Sequence, residues 1–253
     1  MGQRDAGRRP TSVALFATCV ADFASPEPAR AAVEVLERLG VRVVFPAAQT
    51  CCGQPALNSG YPREARSLAR RWVRLFEPYE AVVAPSGSCV ATVHHHYPRV
   101  LSGAWRDRAR AVAERTWEFS QFVAAFGGDL PLRLDTTVTY HDSCHMLRSL
   151  GEGTAPRTVL SRIHGLRLVE MADPDTCCGF GGTFSAKLGE VSGAMGSAKL
   201  RQAADTGARE LVSADGGCLL HLQARADATG GGARTRHIAE LVRDALQPRE
   251  VSA

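Results

Sequence analysis

At 253 residues, with 45% hydrophobic and 22% charged content, the chain has room for two modest domains or one large one and the composition of an ordinary folded protein. A formal net charge of +4 is too small to point to nucleic acid, and no apolar run approaches the roughly 20 residues that span a bilayer. The basic side is almost wholly arginine, with Lys187 and Lys199 as the lysines.

Residues 1–10 read as a disordered tail. Arg4, Arg8 and Arg9 precede the apolar run Val13 to Val20, an order that can imitate a secretory signal. The run is short, Asp22 closes it, and no small-residue cleavage site follows. The expected location is therefore the cytoplasm, where a cysteine framework serves metal binding or catalysis rather than disulfides. Val13 to Thr18 is predicted as the first strand. Pro28 to Leu39 reads as a helix with Ala32, Val35, Leu36 and Leu39 on one face, stopped by Gly40. Val41 to Phe45 follows as a strand, and Arg63 to Phe76 as an amphipathic helix with Leu68, Trp72, Leu75 and Phe76 inward. Gly127-Gly128-Asp129-Leu130-Pro131 divides the chain into domains 11–129 and 130–253. In the second, Ala155 to Ile163 is predicted helical, Leu166 to Val169 extended and Ser185 to Ala204 helical. Strands alternating with helices predict parallel sheets. The expectation is two internally duplicated α/β domains related by a pseudo-two-fold, with the cysteines on loops at one sheet edge, past the strands' carboxyl ends.

The duplication is clearest in the eight cysteines. Cys19 is followed after 31 residues by Cys51-Cys52 and after 36 more by Cys89. Cys144 is followed after 32 by Cys177-Cys178 and after 39 by Cys218, and Gly follows each vicinal pair. The flanking runs match too: Ser12 to Cys19 with Thr136 to Cys144, Ala81 to Cys89 with Glu210 to Cys218, and Phe119 to Val123 with Ile238 to Val242. Four soft ligands per half suit a metal site. Neither a zinc knuckle nor a ferredoxin-type cysteine run is present. A vicinal pair is awkward for one tetrahedral ion and suits a polynuclear cluster, although zinc, another single metal or metal-free redox thiols remain open on the residues alone.

Gly179, Gly181 and Gly182 would let backbone N–H groups approach an anionic cluster; the plainer alternative is a tight turn. His141 and His145 flank Cys144, where they could donate to cluster sulfur or move protons, or else mark a strand end and a solvated helix start. His94-His95-His96 follow Cys89 on a predicted helix, and three consecutive residues cannot share one face. His237 could cap a helix or line the second site. Asp215, Lys187 and Lys199 are candidates for supporting or surface positions.

Four longer blocks carry a family resemblance: Pro85-Ser-Gly-Ser-Cys-Val90, Tyr140-His-Asp-Ser-Cys-His145, Cys177-Cys-Gly-Phe-Gly-Gly-Thr-Phe-Ser185 and His237-Ile-Ala-Glu240. From about Val13 to Leu246 the chain resembles the lactate utilisation protein A family. That family has the CCG cysteine-rich domain also found in heterodisulfide reductase and in the iron–sulfur component of glycolate oxidase. The resemblance implies an oxidoreductase component of a system oxidising L-lactate to pyruvate. Its implied partners are a ferredoxin-like iron–sulfur protein and a third, smaller protein. It also implies Cys19, Cys51, Cys52, Cys89, Cys144, Cys177, Cys178 and Cys218 as candidate ligands of iron–sulfur clusters; four cysteines per half suffice for a 4Fe–4S cluster, one per half and one or two in total. The heterodisulfide reductase domain ends in Cys-x-x-Cys; here Ser86 and Asp215 stand at the first of those cysteines, leaving four per half. A disulfide-reducing component and a zinc-stabilised scaffold are the rival expectations.

Overall fold

The computed structural model describes residues 7–247; residues 1–6 of the expected tail and the last six of the second domain lie outside the described residues. The first half runs β1 (Ser12–Leu15), α1 (Thr18–Phe23), α2 (Glu27–Arg38), β2 (Arg42–Val44), α3 (Gln54–Asn58), α4 (Pro62–Phe76), β3 (Val82–Ala84), α5 (Gly87–Ala91), α6 (Tyr97–Val100), α7 (Ala104–Ala113), β4 (Thr116–Glu118) and α8 (Phe119–Phe126). The second runs β5 (Arg133–Tyr140), α9 (Thr154–Ser161), β6 (His164–Leu168), α10 (Thr183–Lys187), α11 (Gly189–Asp205), β7 (Glu210–Ser213), α12 (Gly216–Ala228), β8 (Arg234–His237) and α13 (Ile238–Ala245). All strand pairs are parallel, in the orders β2-β1-β3-β4 and β6-β5-β7-β8. The two sheets therefore share one topology, as the duplication requires.

Local chemistry explains the main helices. α2 starts with Glu27 and Pro28, ends with Arg38 in its last turn, and buries Ala31, Ala32, Val35 and Leu36. α4 buries Ala65, Ala69, Trp72, Val73 and Phe76, spaced for one helical face. The closing helices are capped by titratable residues at matching positions. In α8, the Ser120 N–H donates to Glu118 Oε2 at 2.7 Å and the Glu118 N–H to Gln121 Oε1 at 3.2 Å, a capping box. In α13, the Ala239 N–H donates to His237 Nδ1 at 3.1 Å. Each closing helix crosses to the other half: α8 packs on α9, and α13 on α2. That exchange makes the pseudo-two-fold a packing relationship, and one hydrophobic core runs through Phe16, Trp72, Phe119, Phe122, Tyr140, Leu160, Ile238 and Val242.

The structure departs from the sequence expectations in a few places. The first strand ends at Leu15, and Thr18 opens α1 with φ +75°. The helix expected over 185–204 is two helices, broken at Leu188, whose φ of −127° and ψ of 53° lie outside the helical region. His94, His95 and His96 lie in a π-helical turn, Thr92–His96, and a second such turn, His145–Ser149, follows Cys144. The strands β4 and β8 were not anticipated; each has only three or four residues and leads directly into a capped helix.

Candidate metal centre

In each sheet the chain leaves the two central strands in opposite directions, opening a crevice at their carboxyl ends where α/β sheets hold ligands. Cys19 sits in α1 after β1, Cys51 and Cys52 in the loop after β2, and Cys89 in α5 after β3. Cys144 follows β5, Cys177 and Cys178 lie in the loop after β6, and Cys218 is in α12 after β7. The cysteines thus occupy the ends of central strands as well as edge strands, rather than a sheet edge alone. The two sets open on one cavity of about 180 Å³ between the halves, lined by cysteines of both and by Phe180, Gly181 and Gly182.

All eight thiols are free. Cys19 Sγ lies 3.5 Å from Cys51 Sγ, and Cys52 Sγ 3.5 Å from Cys89 Sγ. The Gly53 and Gly179 N–H groups donate to Cys51 and Cys177 Sγ, each at 3.4 Å. Hydrogen bonds from Cys19 and Cys52, and then from the Gly53 N–H, pull Cys51 down to about 3. Those from Cys144 and Cys178, with the Gly179 N–H, pull Cys177 down to about 2. The neighbours Cys19, Cys52, Cys144 and Cys178 are pushed up, chiefly because each holds its proton against an adjacent thiolate and then because each is buried. Each set therefore resists full deprotonation by itself, which is the condition a bound metal relieves.

The spread of the sulfurs bears on which metal fits. Four thiolates on one zinc stand about 3.8 Å apart, given a Zn–S bond of about 2.3 Å. Among the described residues, the one metal-ligating trio within 4.8 Å is His141, Cys178 and Cys218, all buried; no three sulfurs of either half meet that condition. Close pairs at 3.5 Å within a wider set of four soft donors suit binding of a metal or a cluster. His141 supports that fit: both ring nitrogens are buried with no partner at hydrogen-bond geometry, facing the second set. Burial, then the charge of Lys199, lowers its pKa to about 4, leaving one N–H to donate.

The other sequence candidates separate cleanly. His145 lines the cavity with Nδ1 3.6 Å from Cys144 Sγ. His237 is 1% exposed and caps α13 instead of lining the cavity. His94 is turned to the Thr116 carbonyl, 3.0 Å away. Gly179 is required by its backbone: φ is +92°, and a Cβ would stand 2.6 Å from the Ser192 carbonyl oxygen. Ser86 and Asp215, the positions where the heterodisulfide reductase domain has cysteine, are matching helix caps. Ser86 Oγ accepts from the Cys89 N–H at 3.3 Å, and Asp215 Oδ1 from the Gly217 N–H at 3.3 Å. The two residues pair across the pseudo-two-fold, and Asp215 Oδ2 accepts from the Ser88 N–H of the other half at 2.8 Å. Sequence reasoning missed Tyr97, whose hydroxyl donates to the Cys52 carbonyl at 2.9 Å, and Gln49, whose side chain bonds the Ala17 N–H and the Leu15 carbonyl beside Cys19. It also left Lys199 undecided; the side chain is 1% exposed and donates to the Asp173 carbonyl at 2.6 Å, four residues before Cys177.

The CCG cysteine-rich domain matches twice, over residues 13–94 and 138–223, so each match takes in one complete set of four cysteines. Lactate utilization protein A of Anoxybacillus flavithermus is 44% identical over 235 residues, 91% of this chain and 98% of that protein. The protein of the same name from Halalkalibacterium halodurans is 43% identical over 242 residues, 94% and 99% of the two chains. The chain belongs to the lactate utilization protein A family. A hypothetical protein from Helicobacter pylori, 11% identical, superposes with a TM-score of 0.67 over 96% of this chain and 50% of its own, a likeness of fold. Among the described residues of this lactate utilization protein A family member, no helix is long and apolar enough to cross a membrane.

Proposed function

We propose that the chain is the iron–sulfur electron-transfer component of an L-lactate oxidation system, acting in the cytoplasm with a ferredoxin-like iron–sulfur protein and a third, smaller protein. What supports this reading is the placement of two four-cysteine sets past the carboxyl ends of two like sheets, with seven of the eight cysteines lining one cavity. The lactate part rests on the names of the relatives. A 4Fe–4S cluster in each set would supply one-electron storage. The chain's own residues supply the rest: four thiolates as ligands, the Gly53 and Gly179 N–H groups as donors to ligand sulfur, and His141 as a further donor in the second half. Phe180, Val20 and Ala21 give the shared cavity an apolar wall that limits water at both sets.

The test is purification without oxygen, followed by iron, acid-labile sulfide and zinc analysis. A brown protein with iron and sulfide near eight of each is expected on the order of two 4Fe–4S clusters per chain. Colourless protein rich in zinc would assign a structural metal and end the electron-transfer reading. Deletion of the gene is expected to abolish growth on L-lactate. If the assembled complex reduced a disulfide and left lactate untouched, the substrate would be reassigned.

A further inference from the structure

The two halves are alike in backbone but not in what surrounds their cysteines. Counting back from Cys19 and Cys144, Phe16 occupies the position of His141. The burial pattern of α4, Ala65, Ala69, Trp72, Val73 and Phe76, recurs in α11 as Ser192, Gly196, Lys199, Leu200 and Ala203. The glycines confirm that register. A Cβ on Gly53 would meet Ala65 and Leu68, and one on Gly179 would meet the matching Ser192 and Met195. Trp72 therefore corresponds to Lys199. In the first half Phe16 and Trp72 pack edge to face at 5.7 Å. In the second the same two places hold an imidazole, 0% exposed, and an ammonium, 1% exposed.

We infer that His141 and Lys199 form a buried tuning pair that raises the reduction potential of the second cysteine site and leaves the first untouched. The inference rests on the proposed iron–sulfur reading. Reduction adds one negative charge, and a buried cation and a hydrogen-bond donor nearby favour the reduced form in a low-dielectric setting. His141 lies within 4.8 Å of Cys178 and Cys218 ligand atoms, and the Pro174 carbonyl that accepts from Lys199 Nζ also accepts from the N–H of Asp142, the residue after His141. Lys199 Nζ also donates to the Asp173 and Pro174 carbonyls at 2.6 and 3.5 Å, fixing the ammonium in the segment leading to Cys177. Of the acids around Lys199, Asp175 and Asp173 are exposed and screened by water. Asp142 is held bidentately by Arg157 at 2.8 and 3.0 Å, and Asp215 sits at the pseudo-two-fold, bonded to both halves. Lys199 and His141 are positioning residues, with no part as ligands.

The test is a potentiometric titration of the anaerobic full-length chain followed by electron paramagnetic resonance, with Cys51→Ser and Cys177→Ser assigning each midpoint to its half. Lys199→Met is expected to disfavour one-electron reduction of the second site at least tenfold, a fall of about 59 mV, and to leave the first site unchanged. Lys199→Arg is expected to restore the wild-type value, and Trp72→Met to move neither midpoint. Unchanged potentials in Lys199→Met, or equal shifts of both, overturn the inference. If Lys199→Met fails to hold the second cluster, His141→Phe, which copies the first half, decides it: an unshifted second midpoint overturns the pairing. Wild-type protein without clusters would retire the proposed function and this inference together, whereas clusters with unshifted potentials retire the inference alone.

Discussion

Glu118 offers a sharp physical test of the duplicated architecture, because it caps α8 from a site with no exposed surface and its Oε1 has no partner. Burial pushes its carboxyl from 4.5 up to about 8, against the opposing Ser120 hydrogen bonds. The folded state therefore binds a proton that the unfolded chain releases above pH 4.5. Stability falls as pH rises between these two values, by about 1.4 kcal/mol per pH unit in mid-range. Integrated from pH 5 to pH 9, the loss amounts to about 4 kcal/mol, a large share of the roughly 5–15 kcal/mol that holds a domain together. Glu118→Gln keeps an oxygen to accept from the Ser120 N–H but has no proton to lose. Urea unfolding at half-unit pH steps is expected to show the wild type losing this stability relative to the variant, the gap opening above pH 5 and levelling above pH 8. Parallel curves for the two proteins would refute the reasoning, since every other titrating group is common to both.

The mirrored cap has the opposite sign: burial lowers His237 from 6.5 to about 4, so its contribution is lost as pH falls through that window, and His237→Asn should flatten the acid limb. Cys51→Ser and Cys177→Ser should each remove about half the iron, because each dismantles one four-ligand set. In the assembled complex we expect Cys177→Ser to abolish lactate-dependent electron transfer and Cys51→Ser to cost less; equal losses would sink the asymmetry and leave the ligands intact. Gly179→Ala, with a Cβ driven to 2.6 Å from a backbone oxygen, should destabilise by more than ~1 kcal/mol and empty the second set. Gly53→Ala, whose nearest contact would be 3.4 Å, should cost measurably less in the same thermal melts.

Much of this arrangement was legible in the residues. The spacing of Cys19, Cys51, Cys52 and Cys89, repeated at Cys144, Cys177, Cys178 and Cys218, predicted the duplication. Apolar runs ending at cysteines predicted parallel strands with the cysteines past their carboxyl ends. What stayed hidden depends on contacts between the halves. No local pattern says that α13 packs on α2 and α8 on α9, or that Ser86 pairs with Asp215 across 129 positions of chain. β4 and β8 escaped because a strand of three or four residues shows too little alternation to stand out. The fate of His237 was undecidable for a related reason: an N-cap and a site histidine are written identically until the Ala239 N–H is seen to donate to it.

Lys199 shows where a repeat misleads. Aligning the halves by cysteine draws attention to what both share, and the shared positions are those that backbone geometry dictates. Gly53 and Gly179 both hold positive φ while donating to a cysteine sulfur, and Ser86 and Asp215 both cap the helix carrying the last cysteine. The informative positions are those where the frame persists and the chemistry diverges. Phe16 and Trp72 contribute packing, and a buried Trp is worth about 3–5 kcal/mol against truncation to Ala. His141 and Lys199 fill the equivalent space at a desolvation cost, recovered only in part by carbonyl partners at 2.6 and 3.5 Å. A fold that could keep an aromatic pair at both places instead holds two buried ionisable groups beside one cysteine set, and that is where the chemistry of the halves diverges.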